Sequence, residues 1–277
     1  MIYKIAVVGL GIIGGSVAKA LRGFRGGAVY AQERDKGVLL KAQECGAIEG
    51  EAELSECDSV ILALYPSDCV QFMRENMNSF KSGAVIWDVC GVKGSVVEPI
   101  RSFLRDDIEF VGAHPMSGRE KSGFAASDGR LFENSNFIIT PCGASDKAVQ
   151  TVKEMAAYMG CSNIVVTDCD KHDAMIAYTS QLMHAVAVAL CKNPCIEEAG
   201  QYSAGSLRDC TRVADINDAL WSELFVENAP ALCSCVENLT ENLNVISRMA
   251  REGRREELAE FLRSSAAAKR KYLLEVN

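Results

Sequence analysis

The stretch that decides the fold is YKIAVVGLGIIGGS, residues 3–16. Residues 3–8 form a β-branched apolar run of the kind that makes a buried strand, and Gly9-x-Gly11-x-x-Gly14 follows at once. A helix predicted over 16–21 and a second strand over 28–32 complete a βαβ start. Each glycine has a mechanical reason. Gly9 makes the tight turn, Gly11 lets a pyrophosphate approach the backbone, and Gly14 lets helix and strand pack closely. The amides near Ile12 and Ile13 then face the phosphates from the helix N-terminus. Glu33 ends the second strand, 22 residues past Gly11. A carboxylate there accepts from ribose hydroxyls and repels a 2′-phosphate, which favours NAD. The adjacent Arg34 suits the extra phosphate of NADP, the less favoured cofactor.

Working outward, the α/β alternation continues. Strands are predicted at 60–64, 84–89, around Phe110, at 136–140 and at 163–166, with helices at 67–77, 96–104 and 145–159 between them. Beyond Asp168 the hydrophobic period becomes 3.6, and 170–192, 216–249 and 254–274 read as long helices rich in Ala, Leu and Met. The expected architecture is a Rossmann-type α/β domain over 1–167 followed by an all-helical domain over 168–277.

Bulk composition limits the function. The 277 residues are 48% hydrophobic, enough to bury a sizeable core, and carry a net charge of -8. That charge argues against nucleic acid or an anionic membrane surface as the main partner, so an anionic substrate would need locally placed arginines. No apolar run is expected to span a membrane, and residues 1–8 lead into a strand without a signal peptide, so a cytoplasmic protein is expected. The twelve cysteines include no CxxC pair. Their scatter predicts no metal site, only small reduced core residues.

Three segments carry candidate chemistry. FVGAHPMSGRE, residues 110–120, places His114 where a strand stops, with Pro115 keeping its backbone extended. Strand carboxyl ends form the ligand crevice of open α/β sheets, and a histidine there can serve as acid or base. The other two of the chain's three histidines, His172 and His184, share one predicted helix, twelve positions apart. That spacing separates them by about 120° and roughly 18 Å, too far for one small site from one helix face. His184, among apolar neighbours, needs a buried partner such as a substrate carboxylate. His172, beside Asp170 and Asp173, reads as a local hydrogen-bonding residue. Gly205–Arg212 brings two arginines and an aspartate into one glycine-led segment, and an arginine fork suits a carboxylate.

Taken together these segments resemble the prephenate/arogenate dehydrogenase family of tyrosine biosynthesis. The resemblance rests on GLGIIGGS at 9–16, DVCGVKG at 88–94, GAHPMSGRE at 112–120, HDAMIAYTSQLMHAVA at 172–187, LRDCTRVA at 207–214 and LWSELFVEN at 220–228. It implies an NAD(P) domain and a C-terminal helical domain that binds substrate and builds a homodimer. It also implies oxidative decarboxylation of prephenate to 4-hydroxyphenylpyruvate, or of arogenate, as in dual-specificity cyclohexadienyl dehydrogenases. By motif position His114 matches the catalytic histidine, His184 and Arg212 match binders of the substrate carboxylates, and Glu120 matches an acidic residue near the arginine. Where the family commonly has serine beside the nicotinamide and substrate hydroxyl, this chain has Gly91, leaving backbone, water or Ser117 to fill that place. The competing readings are a β-hydroxyacid dehydrogenase, whose Lys-x-x-Asn-Asn is missing here, and a catalytically inactive NAD-dependent sensor.

Overall fold

The computed structural model describes residues 2–118 and 121–276. They belong to two compact units, Met1–Ala229 and Pro230–Asn277. The first is built on a seven-stranded sheet: β1 (Lys4–Val8), β2 (Ala28–Gln32), β3 (Ser59–Leu62), β4 (Val85–Asp88), β5 (Glu109–Pro115), β6 (Asn136–Thr140) and β7 (Asn163–Val166). Their order is β2-β1-β3-β4-β5-β6-β7. β1 to β5 are parallel, β6 runs antiparallel to β5, and β7 is parallel to β6. The chain steps from β1 outward to β2, then back across to β3, so the topological switch lies between β1 and β3. Ligands of such sheets bind outside the strand carboxyl ends at that switch.

Because side chains alternate along a strand, the central strands feed two cores. Ile5, Val7, Ile61, Trp87 and Val111 pack on one side, and Ala6, Val60, Ile86 and Phe110 on the other. All of these are buried, which is why β1 and β3 read as continuous apolar runs. Helices α1 (Ile12–Ala20), α2 (Lys36–Glu44), α3 (Pro66–Asn76), α4 (Gly94–Arg101) and α5 (Asp146–Tyr158) belong to this α/β part.

The structure corrects several sequence expectations. Helix α1 begins at Ile12, four residues before the predicted Ser16, because tight packing of Gly14 and Gly15 overrides their poor helix propensity. β3 stops at Leu62 rather than residue 64. Helix α2 is missing from the sequence reading: only Ala42 of it is buried, so its period is faint, although Asp35 caps it by accepting from Gly37 and Val38. The glycine-led segment is itself helical, α8 (Gly205–Thr211). The single long helix expected over 216–249 is two, α9 (Asp218–Glu227) and α10 (Ala229–Arg251), parted at Asn228. Five cysteines are buried as expected, but Cys45, Cys195, Cys210 and Cys233 are exposed.

After β7 the chain runs through α6 (Cys169–Ile176), a π-turn over Ala177–Gln181 and α7 (Leu182–Cys191). Contrary to the sequence expectation, this stretch is long and apolar enough to cross a membrane by length and composition. It nevertheless carries the buried polar side chains of His172 and Gln181, both hydrogen-bonded within the first unit. Buried, partnered polar groups belong to a protein-facing helix. In the second unit, α10 and α11 (Arg255–Val276) are joined through Gly253 at φ +69°, a left-handed turn that glycine tolerates.

Candidate active site

At the carboxyl end of β1, Gly9 adopts φ +86°, and a Cβ there would stand 2.6 Å from the Ala63 carbonyl oxygen. A Cβ on Gly14 would stand 1.9 Å from the Gly9 carbonyl oxygen, so strand and helix approach as only glycine permits. At Gly11 the same test meets nothing within 4 Å, and Gly11 caps α1 without any side chain. The first-turn amides at Ile12 and Ile13 therefore border an open space suited to a pyrophosphate. Glu33 closes the loop from the other side: its carboxylate accepts from the Leu10 amide at 2.7 Å and the Asp35 amide at 3.0 Å. Arg34 is exposed beside it. These features fit a dinucleotide.

A second constellation gathers at the carboxyl ends of β4 and β5. His114, the penultimate residue of β5, is half-buried, and its Nδ1 lies 3.0 Å from His172 Nε2. His172, fully buried, places its own Nδ1 2.7 Å from Asp173 Oδ1. The Asp173 carboxylate also accepts from the Lys93 and Gly94 amides, both at 2.8 Å, at the N-terminus of α4. An anion at a helix N-terminus is favourably placed. Burial alone would raise the Asp173 carboxyl, but His172 and the two amides outweigh it and hold it below the usual range.

This chain of contacts fixes proton positions. A carboxylate only accepts, so His172 holds its proton on Nδ1 and presents a bare Nε2. His114 must then donate from Nδ1, which leaves its Nε2 as an acceptor. Burial lowers the His114 pKa well below 6.5, reinforced by His172 and by the Lys93 charge, so the ring is neutral at neutral pH. His172 is lowered as well, by burial first, with Asp173 partly opposing. Beneath them Lys93 and Asp88 form an ion pair in which both side chains are fully buried. Asp88 accepts in addition from the Cys90 amide at 2.9 Å and the Ala113 amide at 3.2 Å, tying the β4 turn to the residue before His114.

Gly91 stands at this site. A Cβ there would lie 3.9 Å from His114 Cε1 and 3.4 Å from a Leu224 methyl. Gln181 donates to the Leu224 carbonyl at 3.0 Å, and Asn228 bonds both Gln181 and the Asp173 carbonyl. α6, the π-turn and α9 are thereby locked to one another. His184 lies farther along α7, with Nδ1 2.8 Å from the Val213 carbonyl and its ring 3.7 Å from that of Trp221. Val213 is the neighbour of Arg212, so His184 and Arg212 share one locality. Ser117 is partly exposed just beyond β5. Glu120 lies outside the described residues.

On sequence His172 reads first as a local hydrogen-bonding residue apart from the catalytic candidate; the structure brings it to His114 and makes it the middle of a relay. Asp88 and Asn228 were not singled out at all, and Asp173 was read only as a neighbour of His172. The signal available in the sequence was charge and amide side chains inside otherwise apolar motifs.

A dinucleotide fold with a neutral, oriented histidine beside its strand ends defines the class: a pyridine-nucleotide-dependent oxidoreductase. The model of the prephenate dehydrogenase nucleotide-binding domain matches residues 17–165, and that of the prephenate dehydrogenase dimerization domain matches residues 168–264. The chain belongs to the prephenate dehydrogenase family. It is 30% identical to a prephenate dehydrogenase of Bacillus subtilis over 81% of its length, spanning 64% of that relative. It is 29% identical to a cyclohexadienyl dehydrogenase of Zymomonas mobilis over 86% of its length, covering 85% of that protein. The crystal structure of prephenate dehydrogenase from A. aeolicus, in complex with hydroxyphenyl propionate and NAD+, superposes with a TM-score of 0.86 at 26% identity and covers 98% of each chain.

Proposed function

We propose that this protein catalyses the NAD-dependent oxidative decarboxylation of prephenate to 4-hydroxyphenylpyruvate, in the cytoplasm, as a step of tyrosine biosynthesis. The observation that carries the reading is the Asp173–His172–His114 chain, which leaves an unprotonated nitrogen on a partly exposed ring at the strand ends. Prephenate needs such a group: its C4 hydroxyl must give up its proton as hydride leaves C4, and the ring carboxylate then leaves as carbon dioxide. NAD, when bound, supplies the hydride acceptor. His114 Nε2 accepts the hydroxyl proton and can return it to the phenol oxygen of the product. Arg212 offers a planar fork to one carboxylate, and His184 beside it serves the second anion. Gly9, Gly11, Ile12, Ile13 and Gly14 would hold the pyrophosphate, Glu33 the ribose, and Gly91 and Ser117 would border nicotinamide and substrate. In domain terms, residues 1–167 bind the nucleotide, and 168–277 complete the substrate site and form the dimer. Absorbance at 340 nm with NAD and prephenate tests the assignment, with arogenate run in parallel. Turnover of neither substrate would sink it.

Cofactor choice is the first consequence. The Glu33 carboxylate, held by two amides, would face a 2′-phosphate with like charge. NAD should therefore support a higher kcat/KM than NADP, and Glu33→Ala should lose that discrimination while Arg34 assists NADP. Wild-type kinetics several-fold better with NADP would refute this.

Assembly is the second. Met175, Tyr178, Met183 and Leu190 are exposed along α6, the π-turn and α7, and Leu243 and Leu262 along α10 and α11. Exposed apolar side chains in such numbers call for cover, and a homodimer built by the helical half supplies it. Sedimentation velocity should give a dimer at micromolar concentration; a stable, active monomer would contradict the proposal.

A further inference from the structure

Among the twelve cysteines, all free, one pair has a geometry unlike the rest. The sulfurs of Cys142 and Cys169 stand 2.7 Å apart, against 3.5 Å for Cys69 and Cys90. The elements on either side hold the pair in place. Cys142 follows β6 in a turn closed by the Ala144 amide donating to Pro141, and it takes the left-handed φ of +48°, uncommon for a residue with a side chain. Cys169 is the first residue of α6, directly after the capping Asp168. Their exposures differ as well: Cys142 is half-buried, whereas Cys169 is 8% exposed.

The electrostatics separate their roles. The hydrogen bond from Cys169 lowers the Cys142 thiol to about 7, Thr140 and the Arg101 and Lys93 charges add to this, and burial opposes it. The same contact pushes Cys169 far up. A half-exposed thiolate beside a protonated thiol is the arrangement of an attacking cysteine with its resolving partner. Cys69 and Cys90 provide the contrast: both are fully shielded, and contact with Cys69 together with burial raises Cys90 well above the ordinary value.

We propose that Cys142 and Cys169 are a reversible thiol–disulfide pair, Cys142 attacking and Cys169 resolving, at the foot of the helix that carries His172 and Asp173. With a peroxide as oxidant, the Cys142 thiolate attacks one oxygen, the O–O bond breaks, and the departing hydroxide takes up a proton to leave as water. The resulting sulfenic acid is attacked by the Cys169 sulfur. The S–S bond forms, the S–O bond breaks, and the Cys169 proton leaves with the hydroxide as a second water. Two thiols and one hydrogen peroxide thus give one disulfide and two waters. Closing the S–S distance to about 2.0 Å needs only a small movement from the starting contact. A dithiol reductant reverses the bond by exchange.

The test uses the intact protein with hydrogen peroxide near stoichiometric amount, then maleimide quenching, digestion without reductant and peptide mass mapping. The expected result is a Cys142–Cys169 cross-linked peptide in large excess over any other pair, abolished by dithiothreitol. In Cys169→Ser, dimedone should trap a sulfenic acid on Cys142, and in Cys142→Ser no adduct should form on Cys169. Oxidation confined to Cys45, Cys195, Cys210 or Cys233 would overturn the proposal. A Cys69–Cys90 peptide in equal yield would do the same, because sulfur proximity alone, and not the setting of Cys142, would then have chosen the partners. The wild-type map decides the matter even if a serine variant folds poorly.

Discussion

Replacing His114 by asparagine is expected to lower kcat by roughly 10²–10⁴-fold, the usual contribution of a positioned general base, with KM for prephenate little changed. The proton positions in the relay set this effect. Asp173 and His172 leave a bare Nε2 on His114, and burial keeps the ring neutral. Asparagine keeps rough size and some hydrogen bonding but has no nitrogen able to take a proton. The pH dependence follows with its sign. The base works when deprotonated and its pKa lies well below 6.5, so wild-type kcat should be flat through neutral pH and fall only on the acid side. The variant should lose that acid limb. Arg212→Ala should act in the opposite sense, raising KM more than it lowers kcat, because it removes binding common to ground and transition states. If His114→Asn kept wild-type kcat and the same pH profile, the relay would be a structural turn, and the base would have to be sought elsewhere.

How far this was legible in the sequence depends on the range of the interaction. The Gly9–Ser16 turn and Glu33 are local: strand, turn and the proposed cofactor contact lie within one βαβ unit, and each glycine has a steric reason visible in the spacing. His114 could be placed because Pro115 and the apolar run before it mark a strand end. His172 could not be linked to it, since 58 residues separate them and only the sheet order and the packing of α6 bring the rings to 3.0 Å. The two-histidine argument from ideal helix geometry did keep His172 and His184 apart, and the structure gives them different partners, with a π-turn between them. Helix α2 escaped because its burial is too slight to leave a period, and the break at Asn228 escaped because side-chain hydrogen bonds, not propensity, set it. Lys93 was visible as part of a glycine-bounded turn and as a reserve candidate for the base. Nothing in the local sequence says that its ammonium is sealed from water.

That sealed charge sets the largest stability effect. Lys93 and Asp88 pair with both side chains fully buried, and Asp88 has two further backbone donors. Lys93→Met keeps much of the aliphatic stem but leaves the Asp88 carboxylate without its counter-charge in a dry site. Breaking one side of a buried pair costs about 3–5 kcal/mol, far more than the packing change alone. Denaturant unfolding at neutral pH should show a loss of that order with the m-value unchanged. The double variant Lys93→Met/Asp88→Asn should recover part of the loss, because it removes the orphaned charge while the side-chain oxygen can still accept from a backbone amide. Catalysis gives a second readout. The Lys93 charge helps depress His114, so removing it should move the acid limb of kcat to higher pH. A loss below about 1 kcal/mol would mean that water reaches the pair, since exposed ion pairs contribute no more than that. An unmoved limb would mean that burial and His172 alone hold His114 neutral.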